Sequence, residues 1–126
     1  MAPGILIVMP AHWTRALLRA QLRECGYDAV GARDLLEALG LSAAVRLILV
    51  DQDALSEGDE RLLSDLLNRL HAHHPDAALL LLAGATHKAP DGPFQQVLRR
   101  PMSIADIVQA IERVVPLPAA ERHPLD

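Results

Sequence analysis

Aromatic residues are almost missing from this sequence: Trp13, Tyr27 and Phe94 are the only ones in 126 residues. A core must therefore be assembled from Leu, Val, Ile and Ala, which suits helices laid on a sheet. Cysteine is scarcer still, with Cys25 alone, so no internal disulfide forms and a reducing, cytoplasmic setting is expected. Cys25 itself reads as a core thiol. Long apolar runs are absent as well. The longest, Ala77 to Ala83, has seven residues, against the roughly 20 that a membrane helix needs. No basic segment precedes the short apolar run Ile5 to Met9, so neither a signal peptide nor a membrane span is expected. Positive charge is also in deficit: 12 Lys+Arg against 16 Asp+Glu give a formal net charge of −4, which opposes attraction to nucleic acid.

Several chemical signatures are lacking too. The turn after the first apolar run, Met9 to His12, contains no glycine, so no phosphate-cradling loop is present. No serine lies in a nucleophile-elbow sequence and no nearby His and Asp suggest a triad, so catalysis is not expected. His71, His73 and His74 cluster at a helix end, but no second ligand pair completes a metal set and Asp76 is the only nearby carboxylate. A solvated helix end is the simpler reading.

What the chain does have is alternation. Ile5 to Met9 is a β-branched apolar run closed by Pro10 and reads as a strand buried on both faces. Ala11 to Cys25 follows with Trp13, Leu17, Leu18 and Leu22 near helical spacing, and Gly26 ends it. Trp13, at the start of that helix, is expected to pack there. Tyr27 to Ala32 offers a second strand, and Asp34 caps a short helix that Gly40 stops. Leu47 to Val50 is a third buried strand that delivers Asp51 to its carboxyl end. Leu62, Leu63, Leu66, Leu67 and Leu70 share one face of a helix over Glu60 to Ala72. Ala77 to Ala83 is the fourth strand, Gly84 to Pro93 a loop, and Phe94 to Leu98 a short edge strand. Ser103 and Asp106 make a capping-box start for the last helix. The pattern implies an α/β fold, a single five-stranded parallel sheet wound with four or five helices, over residues 1–117, with a frayed tail over 118–126. Any site then lies outside the carboxyl ends of the strands.

The order of these pieces resembles a known family. ILIVMPAHWTRALLRAQLRECGY resembles the opening of response-regulator receiver domains, RLILVD the strand that ends in the phosphorylated aspartate, HPDAALLLLAG the fourth strand, and RRPMSIADIVQAI the Lys-Pro segment and final helix. The match covers about residues 4 to 115. It implies a doubly wound, flavodoxin-like sheet of order 2-1-3-4-5, with the fourth helix short or missing. It also implies site positions: Asp51 as phosphoacceptor, Met9 and Pro10 where the family has its acidic pair, Ala83 where it has the switch Ser/Thr, and Arg100 where it has lysine.

Four of those positions depart from the family in ways that bear on chemistry. Mg²⁺ is a hard cation that wants several oxygens, and neither Met9 nor Pro10 has a side-chain oxygen. Asp51, helped by Asp53, makes at best a weak metal site, so no cofactor is expected. Ala83 supplies no hydroxyl; Thr86 substitutes only if the loop folds back. Arg100 keeps the positive charge of lysine on a planar guanidinium. Asp51 has a plainer reading as well, a strand-end carboxylate paired with Arg100 or bound to loop amides. The leading expectation is an atypical receiver domain in signal transduction that works through protein contacts. The alternatives are a conventional phosphorelay receiver phosphorylated on Asp51 by a histidine kinase, and a structural dimerisation module. Expected partners are a kinase, an output domain or a second copy. Gln95, Gln96, Arg99, Gln109 and Arg113 are docking candidates by location.

Overall fold

The computed structural model describes residues 2–55, 60–85, 89–90 and 92–118. Thr86 and, apart from Pro118, the tail expected over 118–126 lie outside the described residues. Strands β1 (Gly4–Val8), β2 (Asp28–Ala32), β3 (Leu47–Asp51), β4 (Ala78–Ala83) and β5 (Gln96–Arg99) form one sheet in the order β2-β1-β3-β4-β5, and every pairing is parallel. Helices α1 (His12–Cys25), α2 (Leu35–Leu39), α3 (Glu60–His73) and α4 (Ile104–Val114) join them, with a 3₁₀ turn over Gln52–Leu55. Among the described residues no helix lies between β4 and β5, and none is long and apolar enough to cross a membrane.

The two-residue period of a strand sorts the side chains into two cores. Ile5, Ile7, Leu47, Leu49, Leu80 and Leu82 face α1 and α4, where Leu18, Leu22, Ile107 and Ile111 meet them. Their alternates Leu6, Val8, Ile48, Val50, Leu79 and Leu81 face α2 and α3, meeting Leu35, Ala38, Leu67 and Leu70. Each fully buried aliphatic side chain contributes about 1.5–3 kcal/mol, so the three central strands anchor both layers. Ala89 and Phe94, from the β4–β5 connection, pack on the second core where a further helix is missing.

Local signals close the elements. Gly26 adopts φ 112°, the left-handed conformation that terminates α1, and Gly26 and Tyr27 donate N–H bonds back into the last turn. Asp34 accepts from Glu37 N at 2.8 Å to start α2. Ser103 and Asp106 form the reciprocal capping box of α4. Tyr27 donates its hydroxyl to Val115 O at 2.6 Å inside the core, tying the start of β2 to the end of α4.

Four expectations need correction. Trp13 is 78% exposed and Leu17 61% exposed, so neither packs in the core. The α1 face that meets the sheet is the one bearing Leu18 and Leu22, and the Trp13 ring meets the His12 ring edge-on with centroids 5.2 Å apart. Leu62 is 54% exposed, since the buried stripe of α3 begins one turn later at Leu66. Cys25 is half-buried at the margin of the first core. Finally, the edge strand spans Gln96–Arg99 rather than Phe94 to Leu98, and Phe94 packs instead on the second core.

Candidate functional site

Asp51 ends β3, the middle strand, where a right-handed parallel sheet opens its crevice. It is the buried charged residue of the described chain, with 2% exposure. A carboxylate so placed needs partners, and both oxygens have them. Oδ1 accepts from Asp53 N at 2.9 Å, closing the turn after the strand. Oδ2 accepts from the Arg100 guanidinium at 2.7 Å, a charge-assisted bond that bridges β3 to the end of β5. Both plain readings of Asp51, arginine pairing and amide binding, describe its geometry.

The positions flanking it supply little oxygen. Met9 is fully buried in the core with Leu18 and Ile107, and its side chain has no oxygen to offer a metal. Its carbonyl is also taken, accepting from Arg15 at 2.6 Å. Pro10 is exposed and has no donor or acceptor on its side chain. Asp53 is exposed on the turn, and among the described residues no group of three His, Cys, Asp or Glu is arranged to hold a metal ion. The donor set therefore does not fit the Mg²⁺ that the family resemblance implies. One of the two Asp51 oxygens is paired with the Arg100 guanidinium.

Ala83 is fully buried and serves through its backbone, its carbonyl accepting from Arg100 N at 3.0 Å. Gln52, not singled out from sequence, and Arg99, singled out only as a docking candidate, hold the same loop. Gln52 Oε1 accepts from Gly84 N at 3.0 Å, and Arg99 donates to Gly84 O at 3.2 Å. The register, with Asp51 opposite Leu82, is what brings Gln52 to that loop. Only knowledge of the β3–β4 register would have found it.

The other candidates lie apart from Asp51. Gln95, Gln96, Arg99, Gln109 and Arg113 are exposed along β5 and α4. His71, His73 and His74 sit at the carboxyl end of α3, with the His73 and His74 rings 6.5 Å apart, and Asp76 is exposed beyond them. Burial and the neighbouring His73 push the His74 pKa below the ordinary histidine value.

No family model and no curated protein matches the sequence. Solved structures do. A response regulator from Thermotoga maritima aligns over 93% of this chain and 100% of its own, at 15% identity and TM-score 0.71. A CheY-like receiver domain from Methanospirillum hungatei aligns over 90% of this chain and 93% of its own, at 18% identity and TM-score 0.74. The chain has the response-regulator receiver fold. A response regulator from Burkholderia pseudomallei, solved with a phosphorylated aspartic acid, is similar over 90% of this chain and 67% of its own, at 20% identity and TM-score 0.72. The five strands in order 2-1-3-4-5 and the four helices are those of this fold. At such identities the likeness is one of fold, and the receiver fold here surrounds a carboxylate that is neutralised from within the chain.

Proposed function

We propose that this receiver-fold domain acts in signal transduction through protein contacts, with its conformation set by partners and not by a Mg²⁺-dependent aspartyl phosphate. One observation carries the reading: the Arg100 guanidinium stands 2.7 Å from Asp51 Oδ2 and pairs the carboxylate within the chain. Attack on a phosphoryl donor needs a free carboxylate oxygen and a cation to offset the incoming negative charge. Here the carboxylate is engaged twice and the flanking residues are Met9 and Pro10. Docking residues on this reading are the exposed polar side chains of β5 and α4, among them Gln96, Gln109 and Arg113. The kind of partner that fits is a kinase or an output domain.

The test is intact mass after incubation with acetyl phosphate and Mg²⁺, with Asp51→Ala as control. The wild-type protein is expected to gain no phosphoryl mass above that control. An adduct that forms in wild type and disappears in Asp51→Ala overturns the proposal. A second reading has two observations in its favour: Asp51 lies at the carboxyl end of the central strand, and a structural neighbour carries a phosphorylated aspartic acid. In that reading a histidine kinase phosphorylates Asp51, and the same adduct is its signature.

A further inference from the structure

At the opposite edge of the sheet from β5, where α1 passes the edge strand β2, lies a cleft of about 420 Å³. That is within the span of small-molecule sites, roughly 300–1,000 Å³. His12, Arg15 and Arg19 line it at i, i+3 and i+7 of α1, and no carboxylate does. In a chain of formal net charge −4 this is a local reversal of sign. Among the described residues neither arginine makes an ion pair.

The cations are fixed in place by neutral groups. Arg15 donates to Met9 O at 2.6 Å and its other terminal nitrogen meets His12 Nδ1 at 3.3 Å. Arginine has no acceptor, so in this contact Nδ1 is the accepting atom and the tautomer that fits it places the ring N–H on Nε2. Arg19 Nε donates to Ala29 O at 3.3 Å. Each guanidinium thus keeps its charge and spare N–H groups while its orientation is set beforehand, which lowers the ordering cost of binding an anion.

Gly31 completes the cleft. A Cβ there would come within 3.0 Å of Arg15 Cδ and 3.1 Å of Cγ, so glycine leaves the arginine stem room to lie across the strand. Asp28 and Ala32 bond to the β1 side, so the alternate residue Gly31 turns its backbone groups to the open edge. Ala16, Val30 and Leu41 form the apolar remainder of the lining.

We propose that this cleft binds a phosphate monoester bearing a compact apolar group. A phosphate monoester carries a charge of about −1.5 to −2 and three acceptor oxygens. Two guanidinium charges and the His12 N–H match it, whereas a carboxylate would leave one charge unanswered. The ester group rests on Ala16, Val30 and Leu41. The site is separate from Asp51, so it stands whether or not that aspartate is ever phosphorylated.

The experiment is calorimetric titration of the full chain with phenyl phosphate, inorganic phosphate and benzoate, with amide shifts followed at His12, Arg19 and Gly31. Saturable binding of phenyl phosphate is expected, tighter than either control, with shifts at those three amides. Arg19→Gln, at an exposed position, should weaken it at least about tenfold, the loss expected for one charged hydrogen-bond donor. Arg19→Lys should recover part of that loss, and Asp51→Asn should leave binding unchanged. Equal affinity for inorganic phosphate or benzoate overturns the ester assignment. No saturation, an Arg19→Gln protein that binds as wild type, or dependence on Asp51 overturns the site.

Discussion

Replacing Arg100 with methionine isolates the contact on which the site turns. The substitution keeps an apolar stem but leaves the Asp51 carboxylate, 2% exposed, with only the Asp53 N–H as partner. Breaking a fully buried ion pair costs about 3–5 kcal/mol. The Arg100 side chain is 35% exposed, so water reaches the vacated end and the expected loss is smaller, about 2–3 kcal/mol. With about 2.1 cal/mol/K of unfolding entropy per residue, that corresponds to a fall of about 8–11 °C in Tm. Urea and thermal unfolding of the single variants Arg100→Met and Asp51→Asn, and of the double variant, complete the cycle. Asparagine still accepts from Asp53 N but carries no charge, so the double variant should be little worse than Arg100→Met alone, or better. A coupling energy of about 2 kcal/mol is expected; additivity within about 0.5 kcal/mol would refute a direct Asp51–Arg100 interaction.

Tyr27→Phe removes the buried bond to Val115 O and should cost about 1–2 kcal/mol in urea unfolding, with no change in the slope of the transition. Ser103→Ala, which opens the capping box of α4, should cost about 1 kcal/mol by the same measurement. His74 gives a pH dependence: its folded pKa lies below the ordinary value because burial, and then His73, disfavour the charged form. The unfolded chain therefore binds the proton more readily, so this contribution is fully present above the unfolded pKa and is lost as pH falls through the lower folded value. Tm measured across that window should fall on acidification, and His74→Gln should flatten the fall; an unchanged slope in the variant would remove His74 as its source.

The sequence carried much of this fold in plain sight. The runs at Ile5, Leu47 and Leu79 are buried on both faces, and their short length and alternation with helices marked them as strands. Gly26, Asp34 and Ser103 each marked a helix boundary through a local backbone need. Sheet order is different, because it depends on contacts between distant segments; it came from the family resemblance and agrees with the structure. Helix faces were overdrawn at Trp13, Leu17 and Leu62, since apolar residues at helical spacing span a wider arc than the sheet covers. The site was legible as positions only. Asp51 and Arg100 lie 49 residues apart, and their pairing stood as one alternative until the strand ends were placed together. That Met9 turns into the core, and that Gln52 reaches Gly84, follow from register and packing that no short motif encodes.

The central claim is that Asp51, paired with Arg100 and set beside Met9 and Pro10, does not act through bound Mg²⁺. Amide shifts of Asp51, Gln52, Gly84 and Arg100, followed while Mg²⁺ and then beryllofluoride are titrated through the millimolar range, test it most directly. The expected result is no saturable change at these four residues in the wild-type protein. Saturating shifts centred on Asp51 and Gly84, with Arg100 displaced from the carboxylate, would contradict it.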